Sequence, residues 1–82
     1  MINSQKKELS RREVQRKFAP GVMFHNPNYS LWGMAIVIGY SYVPPVMKGD
    51  VVRQASSWEV VFLRQGVIDR FGWFNLERFE PV

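Results

Sequence analysis

The chain has 82 residues and a formal net charge of +4, and it contains no cysteine. Apolar residues at 46% and aromatic residues at 15% are sufficient for one packed core, which excludes a wholly disordered chain. The lack of cysteine excludes disulfides, thiolate nucleophiles and cysteine-ligated zinc. We expect a single domain of modest stability.

The excess positive charge lies in the first twenty residues. Residues 1–20 carry six basic side chains against Glu8 and Glu13, whereas residues 21–82 carry equal numbers of basic and acidic ones. The six cations are Lys6, Lys7, Arg11, Arg12, Arg16 and Lys17. We take them as candidate binding residues for nucleic acid or an acidic partner. A solvated helix that only caps the fold and keeps the protein soluble is the alternative.

Residues 11–18 carry the signals of a short helix. Ser10 and Glu13 have the S-x-x-E spacing of a capping box, in which each side chain satisfies a backbone N–H of the first turn. A helix of about eight residues is too short to persist in water by itself. Val14 and Phe18, one turn apart, are therefore expected to dock on the rest of the protein.

The remainder of the chain predicts β-structure. Strands are expected near residues 21–26, 31–43, 49–53, 58–63, 67–71 and 76–80, with a tight Gln65-Gly66 turn, a 3₁₀-like turn after Gly72 and a loop over residues 44–50. In the long strand large side chains alternate with small ones, which predicts that the large face enters the core. That face holds Trp32, Met34, Ile36, Ile38, Tyr40 and Tyr42.

The clearest strand after the long one has apolar residues on both faces. One face holds Trp58, Val60 and Phe62, and the other holds Val61 and Leu63. A sheet with one solvated face would carry polar residues there, so something covers the second face. Val14 and Phe18 of the helix are the economical candidates, and an identical or foreign partner is the alternative.

The last part of the chain is rich in aromatic residues, but its charges cancel. The charged side chains are Asp69, Arg70, Glu77 and Arg78, and the expected core residues are Phe71, Leu76 and Phe79. A surface for stacking nucleic-acid bases should lie in positive potential, so this segment is expected chiefly to close the core. Candidate exposed aromatic contacts are Tyr29, Trp32, Trp73 and Phe74. An aromatic cage for an ammonium group, built from Tyr29, Trp32, Phe71 and Trp73, is a further alternative.

Residues that carry chemistry are few. His25 is the single histidine, and no metal-ligand spacing accompanies it. A triad drawing on Ser56, Ser57 and Asp50 lacks a nucleophile elbow and an oxyanion-hole signature. The apolar run at residues 31–43 is shorter than the roughly 20 residues that a membrane-spanning helix needs. We therefore expect a cytoplasmic protein that is not an enzyme, binds no metal or cofactor and does not enter a membrane.

Several positions from residue 20 onward match a pattern that is shared by a family of small domains. They are Pro20-Gly21, Phe24-His25, Tyr29, Gly33, Val37, Trp58-Val60-Phe62, Gly66, Leu76-Glu77 and Glu80-Pro81. This pattern resembles the Tudor-like C-terminal domain of UvrD-type DNA-repair helicases, and the order of elements resembles an SH3-like barrel. The resemblance implies a mainly β fold, with a five-stranded SH3/Tudor-like barrel over residues 20–82. A basic N-terminal arm with a short helix then occupies residues 1–19.

Domains of this family bind nucleic acid or proteins such as RNA polymerase, and they are not catalysts. The resemblance and the basic arm together predict a small non-enzymatic module that acts on nucleic acid or on nucleic-acid machinery, such as RNA polymerase or a helicase. The alternative is a bacteriophage-type accessory protein that regulates or inhibits a host protein through its barrel surface. A structural homo-oligomer is the third hypothesis.

Overall fold

The computed structural model of the protein describes residues 10–82. Over that range the fold is mainly β, and the helix α1 spans Arg11–Lys17. The strands are β1 (Met23–His25), β2 (Met34–Val43), β3 (Val46–Lys48), β4 (Val51–Gln54), β5 (Ser57–Arg64), β6 (Val67–Gly72) and β7 (Glu80–Pro81), and 3₁₀ helices occupy Ser30–Trp32 and Trp73–Arg78. None of the helices in this range is long and apolar enough to cross a membrane.

Five strands form one antiparallel sheet in the order β6-β5-β2-β1-β7. The chain passes from β6 through the second 3₁₀ helix and returns in β7, which pairs with β1. The predicted mainly β fold, with a five-stranded sheet and a short helix, is therefore confirmed. Closure into a barrel is not, because within residues 10–82 no backbone pairing joins the two edge strands β6 and β7.

The helix begins and docks as the sequence predicts. The Ser10 hydroxyl accepts a hydrogen bond from the Glu13 backbone N–H at 3.2 Å, and the Glu13 carboxylate accepts one from the Ser10 N–H at 3.0 Å. Val14 and Phe18 are fully buried. The Phe18 ring stacks on Phe24 of β1 with 4.4 Å between centroids. The helix therefore shares one core with the sheet.

The prediction of which face of the long strand enters the core is wrong over the first half of that strand. In β2 the small side chains of Ala35 and Val37 enter the core, while Met34 and Ile38 are exposed. A register shift between Val37 and Gly39 then reverses the alternation.

The reason lies in the neighbouring strands. Phe24 of β1 is paired with Ala35, and Phe62 of β5 is paired with Val37. Both phenylalanine rings are fully buried and lie 6.1 Å apart, so they fill the space above β2 and leave room only for small side chains. Tyr40, beyond the bulge, packs against the core, and its hydroxyl donates a 2.8 Å hydrogen bond to the Phe18 carbonyl.

β3 and β4 form a separate two-stranded hairpin where residues 44–50 were expected to form a loop. Gly49, at φ 62°, provides the positive φ that a two-residue hairpin loop requires. Every residue from 44 to 56 is exposed. The hairpin therefore projects from the end of the main sheet and contributes little to the core.

One core lies between α1, one face of the sheet and the two 3₁₀ helices. Its buried members are Val14, Phe18, Phe24, Trp32, Ala35, Val37, Val60, Phe62, Leu76 and Phe79. The expectation that Phe71, Leu76 and Phe79 help to close the core is confirmed, with Phe71 half-buried. The Phe18 ring lies 6.3 Å from the ring of Phe62. The helix therefore covers the face that holds Phe62, and the expectation that it covers Val61 and Leu63 is wrong.

Candidate nucleic-acid interface

Three aromatic side chains, Tyr42, Trp58 and Trp73, form a partly exposed cluster that we call the aromatic platform. Tyr42 and Trp58 are directly paired between β2 and β5, and their ring centroids are 5.2 Å apart. The Trp73 ring stacks on Trp58 at 6.2 Å, with 27° between the ring planes. Trp58 is 36% exposed and Tyr42 is 52% exposed, so both present ring surface to solvent.

Backbone pairing brings these rings together. β2 and β5 run antiparallel as far as the pair Val43–Ser57, which places Tyr42 beside Trp58 near the end of the ladder. Trp73 follows Gly72, which is paired with Glu59, and the first residue of the second 3₁₀ helix therefore comes next to Trp58. The platform lies on the helix side of the sheet, because Trp58 and the buried Val60 alternate onto the same face.

The basic helix begins at this platform. The guanidinium carbon of Arg11 lies 5.7 Å from the centroid of the Trp58 ring, within the range of a cation–π contact. Arg12, Arg16 and Lys17 are exposed on the same helix, and the Lys17 ammonium lies 5.9 Å from the Phe18 ring. Four of the six predicted cations thus lie on an element that touches the platform. Lys6 and Lys7 lie outside the described residues.

The projecting hairpin adds two further cations near the same end of the sheet. Pro44 and Pro45 connect β3 directly to Val43, the last residue of β2. Lys48 and Arg53 are exposed on the hairpin, with one carboxylate, Asp50, at its turn. Across residues 10–82 nine basic side chains stand against six acidic ones. This end of the molecule therefore combines exposed aromatic rings with positive charge.

One predicted aromatic contact is wrong. Trp32 is only 8% exposed, because its ring packs against Phe79 in the core with 4.9 Å between centroids. Its indole N–H donates to the Asp69 carboxylate at 3.3 Å, and the same carboxylate oxygen pairs with Arg64 at 2.7 Å. Trp32 is therefore a structural residue held by a partly buried ion pair.

Among the described residues, the charged side chains of the aromatic segment, residues 68–79, form no ion pair with one another. Asp69 is paired with Arg64 instead of Arg70. Arg78 donates to the amide oxygen of Asn75 at 3.1 Å. Within residues 10–82 the Arg64–Asp69 contact is the single ion pair, so the charge of Arg70 is left on the surface.

The remaining predicted aromatic residues do not join the platform. Tyr29 and Phe74 are exposed, as expected for contact residues. The Phe74 ring packs over Gly72, where an added Cβ would come within 2.7 Å of it, on the side of the sheet that faces away from the helix. The proposed ammonium cage is not assembled in the described part of the chain, because Trp32 contacts Phe71 in the core while Trp73 stacks on Trp58.

The sequence analysis did not identify Tyr42 and Trp58 as contact residues. Both were assigned to faces expected to enter the core. The signal that could have found them is the ladder between β2 and β5, since a bulge at Gly39 puts Tyr42 on the same face as Trp58. The position of that bulge determines which aromatic residues meet.

The described residues hold no arrangement suited to metal or triad chemistry. No group of three histidine, aspartate or glutamate side chains among residues 10–82 could hold a metal ion. His25 and Ser57 lie at opposite ends of β2, about 30 Å apart at about 3.3 Å per residue. His25 instead lines a shallow groove of about 570 Å³, together with Asn26, Met34, Pro81 and Val82.

The indole N–H of Trp73 is an unusual hydrogen-bond donor. This N–H is buried and has no hydrogen-bond partner among residues 10–82. An unpaired buried donor costs roughly 1–3 kcal/mol, which stacking on Trp58 must offset.

The comparison with known proteins finds no matching family model, no matching curated protein and no matching solved structure.

Proposed function

We propose that the protein is a small non-enzymatic binding module for nucleic acid or nucleic-acid machinery. In this proposal α1 contacts phosphates and the aromatic platform stacks on bases. The observation that carries it is the position of the Arg11 guanidinium 5.7 Å from the Trp58 ring centroid, because this contact joins the basic helix to the exposed aromatic rings. Positive charge alone or aromatic rings alone would each have an ordinary structural explanation.

The chemistry of the site favours a single strand over a duplex. Bases in a duplex are already stacked on each other, whereas unpaired bases offer their faces to protein rings. Base–aromatic stacking contributes about 1–3 kcal/mol per base and does not depend on sequence. Tyr42 and Trp58 offer two exposed rings, Arg11 of α1 lies against the Trp58 ring, and the hairpin that carries Lys48 and Arg53 follows the end of β2.

We further propose that the sheet is a variant of the SH3-like barrel. The order of its pairings supports this: β1, β2, β5 and β6 form a meander, and a 3₁₀ helix then leads to β7, which returns to β1. The hairpin β3–β4 is then an insertion between the second and third strands of the meander. The resemblance to Tudor-like domains of UvrD-type helicases stays a prediction of the sequence.

The test is fluorescence anisotropy with a labelled oligothymidine strand and with a labelled duplex of the same length. We expect the single strand to bind more tightly, and Trp58→Ala to weaken its binding about tenfold or more through loss of one stacking ring. Phe74→Ala is the matched control, since Phe74 is an exposed aromatic residue on the opposite side of the sheet. Equal affinity of Trp58→Ala and the unmodified protein, or no binding of either probe, would contradict the proposal.

A further inference from the structure

The face of the sheet that points away from α1, which we call the outer face, is apolar across β1, β2, β5 and β6. Met23 is paired with Ile36, Ile36 with Leu63, and Leu63 with Ile68. At the far edge the Val82 N–H bonds to the Met23 carbonyl and extends the row. Met34, Ile38 and Val61 flank it along the strands.

Most of this face is open to solvent in a single chain. The exposed members are Met23, Met34, Ile38, Leu63, Ile68 and Val82, with Met34 at 55%. Burial of aliphatic surface is favourable, and contiguous apolar patches of about 300–600 Å² on a monomer often function in binding. At about 4.8 Å between strands and about 3.3 Å per residue, about five residues each of β2, β5 and β6, with the three of β1 and the two of β7, give a projected area on the order of 300 Å². The outer face is thus large enough to form an interface of modest size.

We infer that the outer face binds a second copy of this chain, with the two sheets stacked face to face. The row contains only aliphatic residues and methionine, and homodimer interfaces are more apolar than contacts between proteins that also exist separately. Phe74, which packs over Gly72, lies at the rim of the same face. Stacked sheets bury interdigitated aliphatic side chains about 10 Å apart, which suits this composition.

The charges of the outer face also suit a twofold pair. Arg70 is paired with Val61 on edge strand β6, and Glu80 is paired with His25 on edge strand β7. The two residues lie on opposite sides of the apolar row, at diagonally opposite corners. A twofold axis can therefore bring Arg70 of each copy against Glu80 of the other. Glu59, the second carboxylate on this face, accepts a hydrogen bond from Ser41 at 3.4 Å.

The opposite side of the protein could not pair in this way. Arg11, Arg12, Arg16 and Lys17 lie there, and apposition of two copies would bring like charges together. The outer face has one cation, Arg70, against the carboxylates Glu59 and Glu80, so two copies meet without strong repulsion. Pairing through the outer face leaves the aromatic platform free, and the inference therefore does not depend on the proposed function.

The experiment is sedimentation equilibrium of the nuclease-treated full chain from about 1 µM to about 1 mM, because an interface of this size is expected to be of modest affinity. We expect a reversible monomer–dimer equilibrium. Leu63→Glu should raise the dimer dissociation constant by at least about a hundredfold, since twofold symmetry introduces the buried carboxylate twice. Leu31→Glu, at a highly exposed residue outside the sheet, is the control and should leave the dimer dissociation constant unchanged.

Ile68→Lys on the edge strand is a second variant for the case in which Leu63→Glu does not fold, and it should also abolish the dimer. A chain that stays monomeric at about 1 mM would overturn the inference and would favour a foreign protein as the partner of this face. A dimer that survives both substitutions, or that is lost on Val51→Glu in the hairpin, would also overturn it.

Discussion

The two faces of the sheet are built from the same strands but differ in cover, composition and charge. The helix side is covered by α1 and the 3₁₀ helices, and it ends in the aromatic platform, which the basic helix contacts through Arg11. The outer face has an aliphatic row at its centre with few charged residues around it, and nothing within residues 10–82 covers the row from Met23 to Ile68. Because side chains alternate along a strand, consecutive residues of β5 belong to two surfaces with different tasks.

This difference explains why an 82-residue chain carries apolar residues on both sides of one strand. The helix side provides the stability of the monomer, since Phe18, Phe24 and Phe62 are fully buried there. The outer face contributes little to that stability and is available for association. Substitutions at adjacent positions of β5 should therefore have unlike effects.

Phe62 and Leu63 provide the most direct test of this division. Phe62→Ala should lower the free energy of unfolding by about 3–5 kcal/mol, because it opens a cavity beside Phe18 and Phe24. Leu63→Ala should cost less than about 1 kcal/mol in the monomer, since that side chain is already partly exposed. Urea denaturation of both variants at low protein concentration measures the two values. Similar losses for both would contradict the assignment of one structural and one associating face.

The cations of α1 test the helix side as a binding surface. Replacing Arg12 and Arg16 with glutamine removes two exposed charges without touching the Arg11–Trp58 contact. If Arg12 and Arg16 each contact a phosphate, the slope of log K against log salt for single-strand binding should become shallower by about 1.4 in this variant, at about 0.7 per contact. Anisotropy titrations at several salt concentrations measure the slope.

The matched control removes charge from the other side of the protein. Arg70→Gln on the outer face should leave the salt slope unchanged, because Arg70 faces away from the platform. A slope that becomes shallower by about 0.7 in this one-charge variant, half the change in the two-charge helix variant, would mean that binding depends on net charge and not on the surface of α1.

The sequence predicted what depends on local signals. The capping box of Ser10 and Glu13, the docking of Val14 and Phe18, and the Gln65-Gly66 turn are confirmed, the turn with φ of 52° and 79° at its two residues. Each of these follows from residues within one or two turns of chain. Such signals do not depend on which strands become neighbours.

The sequence failed where the outcome depends on neighbouring strands. The large residues of β2 could not be assigned to a face until Phe24 and Phe62 were known to occupy the space above Ala35 and Val37. The aromatic platform was missed because Tyr42 and Trp58 were assigned to core-entering faces, whereas both rings remain partly exposed at this end of the β2–β5 ladder. Size alternation alone does not say which face is already filled.

Tyr40 tests how firmly α1 is held over the core. Its hydroxyl donates to the Phe18 carbonyl at the end of the helix, and Tyr40→Phe should cost about 1 kcal/mol at pH 7. Burial raises the pKa of the Tyr40 phenol above its ordinary value of 10.0. The unfolded chain then loses the proton first, so stability is unaffected below about pH 10 and falls as the pH rises through the folded-state pKa.

Urea denaturation at pH 7 and at about pH 10.5 measures both effects of Tyr40. Between these two pH values, the free energy of unfolding should fall further in the unmodified protein than in the Tyr40→Phe variant. An equal alkaline loss in both would mean that the phenol does not contribute, and that α1 is held by Val14 and Phe18 packing alone.

Substitutions in the hairpin β3–β4 should have the smallest effect on the free energy of unfolding, because the hairpin belongs to neither face of the sheet. Met47 and Val51 are exposed apolar residues on β3 and β4, and no residue from 44 to 56 is buried. Val51→Thr keeps the β-branched shape and should change the free energy of unfolding by less than about 0.5 kcal/mol. It should also leave the dimer dissociation constant unchanged, since Val51 lies outside the outer face. A stability loss well above that value, measured by urea denaturation, would mean that the hairpin folds back onto one of the two faces in solution, and the division of the molecule into two surfaces would then have to include it.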